Sequence, residues 1–171
     1  MARATKVQAF YSLWSPTVFS FARLYLGDDD LAARTAVDAF CEYMHTGLPY
    51  ETDEMPLVLW ECVVEVTLQR RSSPDTILRI SGFENAIVRL RDEERLVFLL
   101  GTFFDLPPGW ISLITGWPLA KVRNLTTSSS DRMRNLLGFP KSTPSAVISQ
   151  YAILHRTKSW QGQTAQDFES R

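Results

Sequence analysis

The sequence predicts an all-α protein built as two helical blocks. Apolar residues recur at spacings of three and four along most of the chain, and no stretch alternates apolar and polar residues well enough to make a strand. Glycine, proline and serine clusters interrupt the helical pattern where helix ends belong, and no internal repeat is visible. With 171 residues, 45% of them hydrophobic, the chain can bury a core as one domain or as two small ones.

The first block covers residues 7–71. From Val7 to Leu26 the apolar spacing fits one long helix broken near Ser15 or two short helices, with Ser15-Pro16 offering a cap and a first-turn proline, and Gly27 a stop. Asp28, Asp29 and Asp30 then supply a cap and favourable charge for a helix carrying Leu31, Ala32, Ala36, Val37, Phe40 and Met44. Thr46 to Thr52 reads as a loop. Asp53 is the expected cap of a further helix that holds Pro56 in its first turn and runs through Leu59, Trp60, Val63, Val64 and Leu68 to Arg70 and Arg71. Residues 72–82, opening with Ser72, Ser73, Pro74 and Asp75, form the expected linker, with one turn of helix at Ile77 to Ile80.

The second block covers residues 83–138. A helix from about Asp92 to Phe104 carries Leu96, Val97, Leu99, Leu100 and Phe103 behind the acidic first turn Asp92, Glu93, Glu94. A short helix follows from Pro107 to Thr115 with Ile111 and Ile114 inward, then Gly116, which can take a left-handed turn, and a longer, partly basic helix opening at Pro118. Two helices joined by a glycine-bearing turn make a helix-turn-helix, the usual carrier of a DNA-reading helix. On that last helix Val122, Leu125, Ser129, Met133 and Leu136 fall on the inner face, and Ala120, Lys121, Arg123, Asn124, Thr127 and Ser128 point outward. In the extension, residues 139–171, a helix from Pro144 to His155 should bury Val147, Ile148, Tyr151 and Leu154 as one stripe, and the residues from about Lys158 are polar enough to be disordered.

A net charge of -1 and a pI near 6.1 exclude a protein that coats nucleic acid by bulk charge, so any DNA contact must be local. Cys41 and Cys62 sit within apolar helical patterns and read as buried free thiols in a reducing, cytoplasmic setting. No apolar run approaches the roughly 18 residues of a membrane span, and none follows Arg3 and Lys6 as in a secretion signal. His45 and His155 lack companion ligands, the triple aspartate reads as a solvated helix start, and no nucleophile-base set or phosphate loop appears. Trp60, Trp110 and Trp117 continue apolar faces as core or interface residues. The sequence therefore implies neither an enzyme nor a cofactor or metal.

Two helical blocks, a polar linker and a terminal helix-turn-helix resemble the sigma-70 family, in its small extracytoplasmic-function form. Phe21, Ala22, Leu24, Leu26, Gly27, Asp28, Ala32, Asp38 and Phe40 resemble the helix ending in Leu-Gly-Asp and the clamp-binding helix that follows it in the family's region 2, and Leu59, Trp60 and Val63 its Trp-Leu-Tyr-x-Ile-Ala series. Leu90, Glu94, Val97, Leu99, Leu100, Phe103, Leu106, Ile111, Gly116, Val122, Arg123, Arg134 and Leu136 align without a gap to its region 4. The resemblance implies transcription initiation with core RNA polymerase and promoter DNA as partners, and an anti-sigma factor as a further one. It places polymerase contacts at Arg34, Asp38 and Phe40, and DNA contacts at Lys121, Arg123, Asn124, Thr127, Ser128, Arg132 and Arg134.

This chain also departs from the family. Arg34, Val37 and Asp38 stand where the clamp-binding helix usually has Asp, Gln and Glu; Glu61, Val64 and Glu65 stand at positions usually basic or Asn; and Leu125, Ser128 and Ser130 replace arginines of the recognition helix. From Cys41 to Val66 there are six carboxylates and no lysine or arginine, a face that repels phosphate. A second reading follows from these residues: a sigma-like protein that has lost DNA binding and acts through protein contacts. An ordinary two-domain DNA-binding regulator that never touches polymerase is a third.

Overall fold

The computed structural model describes residues 2–50, 55–70 and 82–154, with side chains from Thr5 onward within those ranges. Every regular element among them is a helix. The chain groups into two compact units, Met1–Ile80 with Ser112–Trp117, and Ser81–Ile111 with Pro118–Arg171. The expected linker from Ser72 to Ile80, the capping Asp53, His155 and the polar tail from Lys158 lie outside the described residues.

The first unit packs α1 (Ala2–Leu26), α2 (Asp29–His45) and α3 (Leu57–Gln69) against one another. Of the alternatives for its first segment, neither a break at Ser15 nor two short helices is found: α1 is one helix that carries Pro16 in its interior. An interior proline costs roughly 3 kcal/mol through its missing N–H and its ring. The buried run that follows, Thr17, Val18, Phe21, Ala22, Leu24, Tyr25 and Leu26, offsets this by removing apolar surface from water. Gly27, at φ 72°, makes the tight turn out of α1. Asp28 then caps α2, its carboxylate accepting the Leu31 N–H at 2.8 Å, as its sequence position implies.

Aromatic rings fill this core. Phe10 stacks on Tyr43 at 5.1 Å and meets Phe40 edge-on at 6.2 Å, while Phe21 meets Trp60 edge-on at 5.7 Å. Two ion pairs tie element ends together: Arg23 with Asp29 at 2.7 Å, and Arg70, just past α3, with Asp38 of α2. Pro56 stands at the cap of α3, one place before the first turn expected for it.

The second unit opens with α4 (Gly82–Val88), a short helix that the reading of the sequence did not assign, although Phe83, Ala86, Ile87 and Leu90 are spaced for it and buried. Next, α5 (Asp92–Val97) continues into a π-helical turn, Phe98–Phe103, with the Phe104 N–H donating to the Leu99 carbonyl at 2.8 Å. The wider turn lies where Gly101 meets Ile111; a Cβ on Gly101 would stand 3.1 Å from the Ile111 side chain. α6 (Pro108–Thr115) begins in this unit, where Ile111 is fully buried, and ends in the segment grouped with the first, where Ile114 is half-buried; α7 (Leu119–Leu136) packs on α5 and its π-helical continuation.

A helix at residues 145–154, α8, falls where the sequence expects one, but its buried stripe is different. Ile148 and Ala152 are fully buried and Tyr151 is half-buried, whereas Val147 and Leu154 are 38% and 60% exposed. Aromatic contacts set this register. Tyr151 meets both Phe83 and Phe139 edge-on at 5.6 Å, so the inward face follows residues 148, 151 and 152. Replacing Ile148 by Ala should destabilise this unit by about 2–4 kcal/mol in urea unfolding. Amide exchange across α8 in the unaltered protein should be far slower than in a free peptide, and free-peptide rates would show that the helix is not docked.

Candidate nucleic-acid interface

The candidate DNA-reading helix is α7, and the turn before it is built by local hydrogen bonds. Gly116 takes φ 68°, which favours glycine. The Ser112 hydroxyl donates to the Trp117 carbonyl at 2.6 Å, and the Trp117 N–H donates to the Thr115 hydroxyl at 3.3 Å. Pro118, at φ −55°, stands at the cap of α7 rather than within it, which suits a residue with no N–H to donate.

On its inner face α7 buries Val122, Ser129, Ser130 and Met133. Leu125 and Leu136, expected to be fully inside, are half-buried. Ser129 is fully buried and satisfied locally, its hydroxyl donating to the Thr126 carbonyl at 3.1 Å. On the outer face Ala120, Arg123, Asn124, Thr127 and Ser128 are all exposed. Two outward hydroxyls donate to their own helix, Thr127 to the Arg123 carbonyl at 3.3 Å and Ser128 to the Leu125 carbonyl at 3.2 Å. Each must release that bond before it can donate to a phosphate.

The basic side chains of α7 divide sharply. Lys121 pairs with Glu93 of α5 at 2.6 Å, Arg132 with Glu94 of α5 at 3.6 Å, and Arg134 with Asp131 of its own helix at 2.5 Å. Arg134 also donates to the Ser145 hydroxyl at 3.2 Å, and its side chain is only 12% exposed. Arg123 makes no ion pair among the described residues and stands exposed beside Asn124. The DNA contacts implied for Lys121, Arg132 and Arg134 thus compete with internal carboxylates. Those for Arg123, Asn124, Thr127 and Ser128 fall on a common exposed surface.

Glu93 and Glu94 went unread as partners of α7. In the sequence they count only as an acidic first turn complementing the helix dipole. Lys121 lies 28 residues from Glu93, and no local pattern links them.

In the first unit the residues implied for polymerase contact separate. Arg34 is exposed on α2, Asp38 is half-buried and engaged by Arg70, and Phe40 is buried against Phe10 and Tyr11, which fits it for the core and not for docking. Trp60 is buried, while Trp110 and Trp117 are half-buried. The two cysteines are free but only half-buried, less enclosed than their apolar surroundings in the sequence suggest.

Around Cys62 the first unit is electronegative. Burial raises its thiol pKa above the ordinary value, and Glu42 of α2 together with Glu65 and Glu61 of α3 pushes it further in the same direction. Among the described residues no group of His, Cys, Asp and Glu side chains could hold a metal ion, and no helix is long and apolar enough to cross a membrane. The chain matches no protein-family model and no curated protein.

The Cys62 thiol offers a direct measure of this electronegative face. A thiol whose pKa is raised on folding holds its proton longer in the folded chain, so its contribution is intact below the unfolded value near 9.0 and is lost as pH rises through the higher folded value. Alkylation of Cys62 by iodoacetamide should therefore be slower than that of a free cysteine at pH 8 to about 9, and Glu42→Gln should speed it. Equal rates in all three would show that the carboxylates do not act on the thiol.

Proposed function

We propose that the chain is a divergent sigma factor of the extracytoplasmic-function type, which joins core RNA polymerase through its first unit and reads promoter DNA through α7. The observation that carries this reading is the exposed face of α7, where Arg123, Asn124, Thr127 and Ser128 follow a glycine-bearing turn. Arginine can pair with guanine and asparagine with adenine in the major groove, each good pair contributing about 1–3 kcal/mol of discrimination. The order and spacing of the two helical blocks, which resemble regions 2 and 4 of the family, support the same assignment.

Electrostatics sets how this would work. With one uncommitted arginine on the reading face and a net charge of -1, α7 has little affinity for DNA by itself. Binding through polymerase would raise the effective concentration of the helix at the promoter, so weak contacts could suffice there. The first unit is poorly suited to opening the duplex, since Glu61, Val64 and Glu65 stand at positions where the family has basic residues or Asn.

A second reading, a sigma-like protein acting through protein contacts alone, is favoured by the internal pairing of Lys121, Arg132 and Arg134 and by the electronegative face around Cys62. An anti-sigma factor or another regulator would then be the partner. Retention on immobilised core RNA polymerase, followed by binding of the complex to a pool of promoter fragments at about 0.1 M salt, separates the two. On the first reading core is retained, and Arg123→Ala weakens DNA binding about tenfold and lowers the salt slope by about 1. If neither core nor DNA is held, the sigma-factor reading fails and the protein-contact reading stands.

A further inference from the structure

The three internal ion pairs of α7 are not equivalent. Glu94, partner of Arg132, has a side chain only 9% exposed and also accepts the Arg91 N–H at 3.4 Å. Separating that pair would strand a buried carboxylate, which is strongly unfavourable. Arg134 is likewise enclosed, held by Asp131 and Ser145. Lys121 and Glu93 differ, with side chains 39% and 52% exposed. Water can solvate both partners when they part, so this contact opens at small cost.

Its position gives the opening a consequence. Lys121 is the third residue of α7, in the first turn, the part of a recognition helix that comes nearest the bases and the flanking backbone. A lysine ammonium on a flexible four-carbon stem can leave a carboxylate for a phosphate without movement of the helix.

We propose that Glu93 occupies the place of a DNA phosphate on Lys121, so that α7 engages DNA by exchanging this carboxylate for the nucleic-acid backbone. The contact is an internal brake on binding. Free α7 keeps one of its cations neutralised, and DNA must displace Glu93 to gain it. The inference rests on the DNA-reading role of α7 given above, and adds Glu93 as the residue that restrains it.

The test uses the full chain, alone and bound to core RNA polymerase, with duplex promoter fragments across a range of salt. Glu93→Gln keeps the side chain's size at an exposed site, and unchanged circular dichroism and thermal melting would verify the fold. Removing the brake should tighten binding about two- to fivefold, the range set by an exposed ion pair, and steepen the salt slope by up to about 0.9. In a Lys121→Ala background the same change should have no effect, because the cation that it frees is gone. Asp92→Asn removes a neighbouring charge that faces Arg95 and not Lys121, and should leave the affinity and slope at their wild-type values.

Two results would overturn the brake while leaving DNA reading intact: wild-type affinity and slope in Glu93→Gln, or a gain that persists without Lys121, which would mark a general charge effect. Absence of DNA binding in every variant, with and without core, would overturn the DNA-reading role and the brake with it.

Discussion

A buried arginine organises the second unit. The Arg95 side chain lies within the core, 8% exposed, and donates to the carbonyls of Val88 and Leu90, closing the end of α4 where no further helical N–H is available. One guanidinium thereby fastens α4 to α5, and Asp92, 3.9 Å away, adds a weaker attraction from the helix start. Burying a cation is costly unless its donors find acceptors; here one terminal nitrogen donates to both backbone carbonyls, while the buried Nε makes no hydrogen bond among the described residues. Its neighbours in sequence then face α7: Glu94 reaches Arg132, and Glu93 reaches Lys121.

The acidic first turn of α5 consequently has two tasks. As a helix N-terminus it gains from negative charge, and as a surface beside α7 it neutralises the cations that a DNA-reading helix would offer. These demands pull against each other. A carboxylate that stabilises the folded unit lowers the positive potential over α7, and on the proposed reading an affinity for DNA would rest on Arg123 and on hydrogen bonds at Asn124, Thr127 and Ser128.

The first unit meets a different constraint. Its core is made of stacked and edge-on rings from all three helices, joined by Phe10, Phe40, Tyr43 and Trp60, and it carries its carboxylates on the outside around Cys62. Apolar packing of this kind asks only that the inner positions be large and hydrophobic. The outer face is free to change its charge without loss of the fold.

The helical class was legible from the sequence because it is written in local periodicity. The cap at Asp28, the glycine turns at Gly27 and Gly116, the acidic opening of α5 and a helix ahead of His155 all depend on residues within a few positions of one another. Less was legible where packing competes with local preference. Pro16 reads as a break, yet α1 runs through it because the residues beyond are buried on α2 and α3; the stripe of α8 shifts from Val147 and Leu154 to Ile148 and Ala152 because Tyr151 fits between Phe83 and Phe139. The candidate interface divides in the same way. That Arg123, Asn124, Thr127 and Ser128 share an outward face follows from a period of 3.6 residues, so the sequence alone determined it. That Lys121 and Arg132 already hold carboxylates was decided only by the tertiary structure, since the attraction acts through space and joins α7 to the acidic turn of α5, Lys121 lying 28 residues from Glu93, whereas Arg134 finds Asp131 within its own helix.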